Sequence, residues 1–217
     1  MAGCDHGPDD HGPGEVERSF RGVLWVAFAV NAGMFGIEAA AGLIARSVAL
    51  QADAIDFFSD ATSYAVTLFV LGMGAAARAN AALFKGATMA VFGLWVLGSA
   101  GHHLLSGTLP EPVIMGPVAL LAFAANVSVA ILLFRHREGD SNRRSIWLCS
   151  RNDAIANILV LIAAAGVLAT GDGWPDIAVA TIIAYLNLAA SWRIVRHAQA
   201  ELAAHRRGAR IAAEAAD

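Results

Sequence analysis

Residues 113–134 read VIMGPVALLAFAANVSVAILLF, an apolar run without a single charged residue. A helix rises 1.5 Å per residue, so this stretch spans about 33 Å, against about 30 Å for the hydrocarbon core of a bilayer. It reads as a membrane crossing, and the rest of the chain is built in the same way. Of 217 residues, 57% are hydrophobic and 15% charged, with a mean hydropathy of +0.57. A globular domain carries roughly 25% charged residues. The polar residues crowd into the first 21 positions, residues 135–151 and the tail after Arg193. A soluble enzyme does not fit this distribution, and nucleic acid is not a partner for a chain of net charge −3. Cys4 and Cys149 lie in unlike surroundings and imply no disulfide framework.

The expected fold is all-α, with six transmembrane helices over residues 23–45, 48–74, 86–105, 113–134, 146–169 and 175–195. Breaks fall at Arg46-Ser47, Arg78-Ala79-Asn80, 106–112, Asp140-Ser141-Asn142 and Gly171-Asp172-Gly173. Basic residues orient the bundle, because cytoplasmic connections are enriched in Lys and Arg. Among fifteen basic residues, Arg46 alone falls on the side opposite the termini, so both termini are expected in the cytoplasm. The N-terminus is acidic and polar, unlike a cleavable signal peptide. Three regions follow: a disordered N-terminal tail (1–21), a six-helix transport domain (22–196) and a short C-terminal tail (197–217), whose Ala, Arg and Glu content reads as a short helical extension or a fraying end. Small residues such as Gly33, Gly36, Gly93, Gly98, Gly101 and Ala163–Ala165 are expected to let helices approach closely.

Ionisable residues inside a bilayer cost on the order of 2.5–3.5 kcal/mol each by insertion scales. Span two nevertheless carries Asp53, Asp56 and Asp60, span five Asp153 and span one Glu38, with the neutral but polar Asn31 in span one and Asn126 in span four beside them. Asp56 and Asp60 are spaced i, i+4, which puts them on one helix face, and Cys149 and Asp153 repeat that spacing. Spans two and five run in opposite directions. Counted from the outer ends, Asp60 lies about 18 Å deep and Asp153 about 24 Å deep. The two pairs can therefore meet near mid-membrane and offer four ligands, Asp56, Asp60, Cys149 and Asp153. Ionised together they would repel, a conflict that a divalent cation relieves. Once the metal leaves, protons must replace it, so metal and proton occupy the site alternately. Asp53, nearer the outer surface, and Glu38 are secondary candidates, with interhelical hydrogen bonding as their structural alternative.

These residues resemble the cation diffusion facilitator family of proton-coupled exporters of divalent transition metals. The likeness covers about residues 20–197 and is most specific across Ser47-Val48-Ala49-Leu50-Gln51-Ala52-Asp53-Ala54-Ile55-Asp56-Phe57-Phe58-Ser59-Asp60. Asp56 and Asp60 match the ligands of span two. Cys149 and Asp153 stand where the family has His, three residues, Asp. Asn31, Glu38, Asn126 and Trp174-Pro175-Asp176 also look familiar. The resemblance implies efflux of Zn²⁺ or Cd²⁺ against protons by alternating access, with no resident cofactor and no enzymatic activity. It also implies a homodimer in a lipid bilayer, expected to be a bacterial inner membrane.

Cys149 replaces the usual histidine. A thiolate suits zinc and softer ions such as cadmium better than manganese or magnesium. If Cys149 is instead inert, Asn157 is the substitute ligand or hydrogen-bond partner. Family members append a cytoplasmic α+β domain, for which the residues after span six are too few. The tail motif Asp-His-Gly-Pro occurs twice, so Cys4, His6 and His11 are either weak metal-capturing residues or part of a solubilising segment. His102, His103 and Lys85 read as interfacial residues. A non-transporting metal-binding scaffold and a passive cation channel remain open alternatives.

Overall fold

The computed structural model describes residues 13–70, 75–135 and 141–214; the side chains of 13–18, 70, 75, 78, 141–152 and 208–214 lie outside that description. Six α-helices follow in chain order: α1 (Pro13–Ile44), α2 (Val48–Ala65), α3 (Ala75–Ser106), α4 (Pro112–Phe134), α5 (Ser141–Thr170) and α6 (Trp174–Glu214). One π-helical turn, Val66–Val70, extends α2. No strand occurs among the described residues.

Five helices are long and apolar enough to cross a membrane, through Ser19–Ile44, Ala79–Ser106, Pro112–Phe134, Asp153–Thr170 and Trp174–Arg207. Their apolar side chains point largely outward: Leu105, Val113, Leu168 and Ile44 are 65–90% exposed, as are Phe84 and Val91. A surface so apolar needs lipid around it. Helix α2 is the exception, because its three aspartates dilute its hydropathy. It packs against α1, α3, α5 and α6, and eleven of its eighteen residues are buried. Asp53 and Asp60 are among them, facing the bundle interior as ionisable residues of membrane helices usually do.

Two boundaries differ from the expectation. The N-terminal tail was expected to run to residue 21, but α1 begins at Pro13, where proline's fixed φ suits a first helical turn. Arg78-Ala79-Asn80 is no break, since it lies inside α3. At the other end α6 continues to Glu214, the helical extension expected of a segment rich in Ala, Arg and Glu, all good helix formers.

Helix α1 buries one stripe: Phe20, Leu24, Ala27, Asn31, Met34, Glu38 and Ala41. The steps alternate four and three, which keeps every member on one face. Asn31 and Glu38 stand in that stripe as if they were core residues. Helix α3 approaches α6 through Gly86 and Gly93, where an added Cβ would come within 2.7 Å of Val195 and 3.0 Å of Leu188. Ser191 Oγ on α6 donates to the Gly86 carbonyl at 2.6 Å. Gly33, Gly36, Gly98 and Gly101, by contrast, face open space. Of the small residues expected at interfaces, Gly93, Ala163 and Ala164 pack.

The α1–α2, α3–α4 and α5–α6 connections gather at one end of the bundle, as an even number of crossings requires. The Glu111 N–H donates to the Ala45 carbonyl at 2.9 Å, and Gly173 lies directly against the Thr108 carbonyl. There the start of α2 is fully buried, so its free N–H groups need partners. Ser47 caps it, its hydroxyl accepting from the Leu50 N–H at 3.1 Å. Asp176 of α6 supplies the rest, accepting from the Val48 N–H at 2.7 Å and the Ala49 N–H at 3.2 Å.

Candidate metal centre

Asp56 and Asp60 stand one turn apart on α2, and Asp153 stands on the antiparallel α5. The structure brings the carboxyl groups of Asp60 and Asp153 close together across the α2–α5 interface. Two carboxyl groups this close need a proton or a cation between them. The Tyr64 hydroxyl, one turn along α2, donates to Asp60 Oδ2 at 3.2 Å and orients it. Asp153 Oδ2 has no hydrogen-bond donor among the described residues. Asp56 lies against the side-chain amide of Asn187 on α6. That amide also reaches the Ala52 carbonyl at 3.5 Å.

Cys149 lies on α5 one turn before Asp153, but its side chain falls outside the described residues. His6 and His11 fall outside them altogether. Among the described residues no three His, Cys, Asp or Glu side chains converge as a ready metal cage. At this point of the bundle the described side chains supply the Asp60–Asp153 carboxyl pair, with a third carboxylate a turn away.

Lys85 was expected to anchor at the interface. It is half-buried on α3, and its Nζ donates to Ser63 Oγ. Ser63 follows Asp60 by three residues and Asp56 by seven, hence on the same face of α2. The ammonium acts electrostatically on both carboxylates. Asn187 was also not singled out from the sequence. The available signal was Asn187 and Ser191 spaced i, i+4 in an otherwise apolar stretch of α6, and both are buried.

The secondary candidates form a separate group. Asn126 Nδ2 on α4 donates to Asn157 Oδ1 at 3.0 Å, and Asn157 Nδ2 on α5 donates to Asp53 Oδ2 at 3.1 Å. Asp53 in turn meets Glu38 of α1. Asn157 thus serves as a hydrogen-bond partner. Asp53 is 1% exposed and is held by Asn157.

A family model of the cation efflux transmembrane domain matches residues 24–203. The chain belongs to the cation efflux family, the cation diffusion facilitators. It is a multi-pass integral membrane protein. Curated relatives include the cadmium, cobalt and zinc/H⁺-K⁺ antiporter of Bacillus subtilis (strain 168), 24% identical over 80% of this chain and 60% of that protein. The metal cation efflux system protein CzcD of Cupriavidus metallidurans is 25% identical over 90% of this chain and 63% of its own length. The magnetosome protein MamB of Magnetospira sp. (strain QH-2) is 25% identical over 70% and 56% respectively. The chain thus spans about 60% of the length of the curated relatives it matches.

Proposed function

We propose that this cation diffusion facilitator exports divalent transition-metal ions, Zn²⁺ or Cd²⁺, in exchange for protons, using Asp56, Asp60, Cys149 and Asp153. The observation that carries this reading is the close approach of the Asp60 and Asp153 carboxyl groups between two antiparallel helices deep in an apolar bundle. A metal ion and protons compete for the same oxygens there, because carboxylates must be deprotonated to bind the metal. Loading metal therefore releases protons, and unloading it takes them up. The name of the Bacillus subtilis relative supports the substrate class, since it specifies cadmium, cobalt and zinc, with protons and potassium as counter-ions.

Transport requires the site to face each side in turn. The ligands sit on α2 and α5, so a small displacement between these helices opens and reassembles the site, which is the economy of alternating access around a fixed centre. Cys149 biases the set toward soft ions. Cytoplasmic termini and a homodimeric assembly complete the proposal. Reconstituted protein should move Zn²⁺ or Cd²⁺ faster when a pH gradient is imposed. Metal binding without flux would favour a scaffold, and flux indifferent to the gradient a channel.

A further inference from the structure

Helices α1 and α3 scarcely meet, and α2 forms the floor of a groove between them. Near the end where the α1–α2 and α3–α4 connections lie, the groove widens into a cavity of about 610 Å³. Arg46, His102 and His103 line that wide part, and no carboxylate does among the described residues. Arg46 pairs with no acidic side chain among them either. Gln51 is already engaged: its Nε2 donates to the Gly42 and Ser47 carbonyls, and its Oε1 accepts from Trp95 Nε1 at 3.3 Å. Gly98 stands on the wall with nothing within 4 Å of where a side chain would begin, so the cavity is open at that point. Leu43, Gln51 and Trp95 lead from it into an apolar stretch that Phe35, Ile55 and Phe92 line. The inner end is marked by Phe58 of α2, whose ring stands 5.5 Å from that of Phe35 and 6.0 Å from that of Phe92.

The groove is basic at one end and hydrocarbon-like along the rest. From Phe92 to His102, α3 rises about 15 Å, half of the hydrocarbon core's ~30 Å, which is the depth of one leaflet. Arg46 itself stands at φ +52°, a left-handed conformation that glycine or asparagine adopts more readily at a helix end. An arginine kept there at a conformational cost points to a use for its charge. A guanidinium binds phosphate through paired N–H groups, and imidazole N–H groups can add to it. We propose that this groove binds one anionic phospholipid of the leaflet away from the chain termini, with its phosphate at Arg46, His102 and His103 and an acyl chain along Trp95 and Phe92. With no carboxylate in the lining to meet the ammonium of a zwitterionic headgroup, charge complementarity selects the anionic one. Neither Asp56 nor Asp60 lines the groove, so the lipid site is separate from the metal centre.

The test uses the full chain in phosphatidylcholine nanodiscs, with Trp25, Trp147, Trp174 and Trp192 replaced by Phe so that Trp95 alone fluoresces. Phosphatidylglycerol or phosphatidylcholine with brominated acyl chains is then titrated in as the quencher. The apparent affinity read from Trp95 quenching is expected to be about threefold or more higher for phosphatidylglycerol, or ~0.7 kcal/mol. That preference should be lost in Arg46→Gln, and also in Gly98→Leu, which places a side chain in the open part of the groove. Native mass spectrometry of the wild-type chain gives a second readout, one retained phosphatidylglycerol that Arg46→Gln loses. Equal quenching by the two lipids with the groove intact, or a preference that survives in both variants, would overturn the site. So would the absence of quenching by either lipid, the result expected if a second copy of the chain covers the groove. None of these readouts depends on metal binding or flux.

Discussion

Asp176 on α6 and Ser47 before α2 are joined by a 2.6 Å hydrogen bond, with the Ser47 hydroxyl donating to Asp176 Oδ1. They lie 129 residues apart in sequence, and together they finish a helix end that neither could finish alone. Ser47 caps in the usual local way, while Asp176 brings a carboxylate to the positive end of α2. Asp176→Asn keeps the shape but turns an N–H₂ toward an N–H donor. The expected cost is about 1.5–3 kcal/mol, the range for a hydrogen bond to a charged group. Thermal unfolding in detergent should show a clearly lowered midpoint, and an unchanged one would mean that the cap does not hold α2 in place.

The glycines of α3 separate packing from placement. Gly86 and Gly93 face α6 at distances that leave no room for a side chain, whereas Gly98 and Gly101 face open space. Gly86→Val should destabilise by about 1–3 kcal/mol through overpacking. Gly98→Ala should be neutral or stabilising by up to about 1 kcal/mol, since alanine is the better helix former. Unfolding midpoints of the two variants should therefore move in different directions or by clearly different amounts.

Lys85 competes with a metal ion for the field of Asp56 and Asp60. Replacing it with methionine removes that competitor while keeping an apolar stem of similar length. Metal affinity should then rise about fivefold or more, equivalent to roughly 1 kcal/mol or more of lost charge–charge competition. Isothermal titration with Cd²⁺ checks this. A residue that served only as an interfacial anchor would leave the affinity unchanged.

Cys149 sets the balance between soft and borderline ions in the proposed site. Cys149→His should lower the ratio of Cd²⁺ to Zn²⁺ transport, because imidazole lacks the preference of thiolate for soft cations. Competition flux with both metals present measures the ratio directly. An unaltered ratio would remove Cys149 from the ligand set.

Much of this was legible in the chain because it rests on local spacing. The uncharged run 113–134 marks a crossing by length alone, and it appears as α4. Asp56, Asp60 and Asp153 stand out because lipid penalises every charge that function does not require. Asp60 and Asp153 do meet, although their sequence separation says nothing of it; only the antiparallel order of spans does. Other features were hidden. The end of α1's polar tail was misplaced because Pro13 and the residues after it are helix-compatible as well as polar. Arg78-Ala79-Asn80 looked like a turn, yet Arg and Ala favour helix and no glycine or proline interrupts them. The Asp176 cap and the Asn126–Asn157–Asp53 chain depend on which helices become neighbours, information that no single-helix periodicity carries. Asn187 gave only a faint i, i+4 signal with Ser191, indistinguishable from two helix-packing polar residues.

The central claim is that Asp60 and Asp153 bind the transported ion jointly, and metal flux into proteoliposomes tests it most directly. Zn²⁺ and Cd²⁺ uptake would be compared with and without a pH gradient in the wild type, Asp60→Ala and Asp153→Ala, each verified as folded. Gradient-stimulated flux in the wild type that is abolished in both variants is the expected result. Retained flux in both folded variants would contradict it.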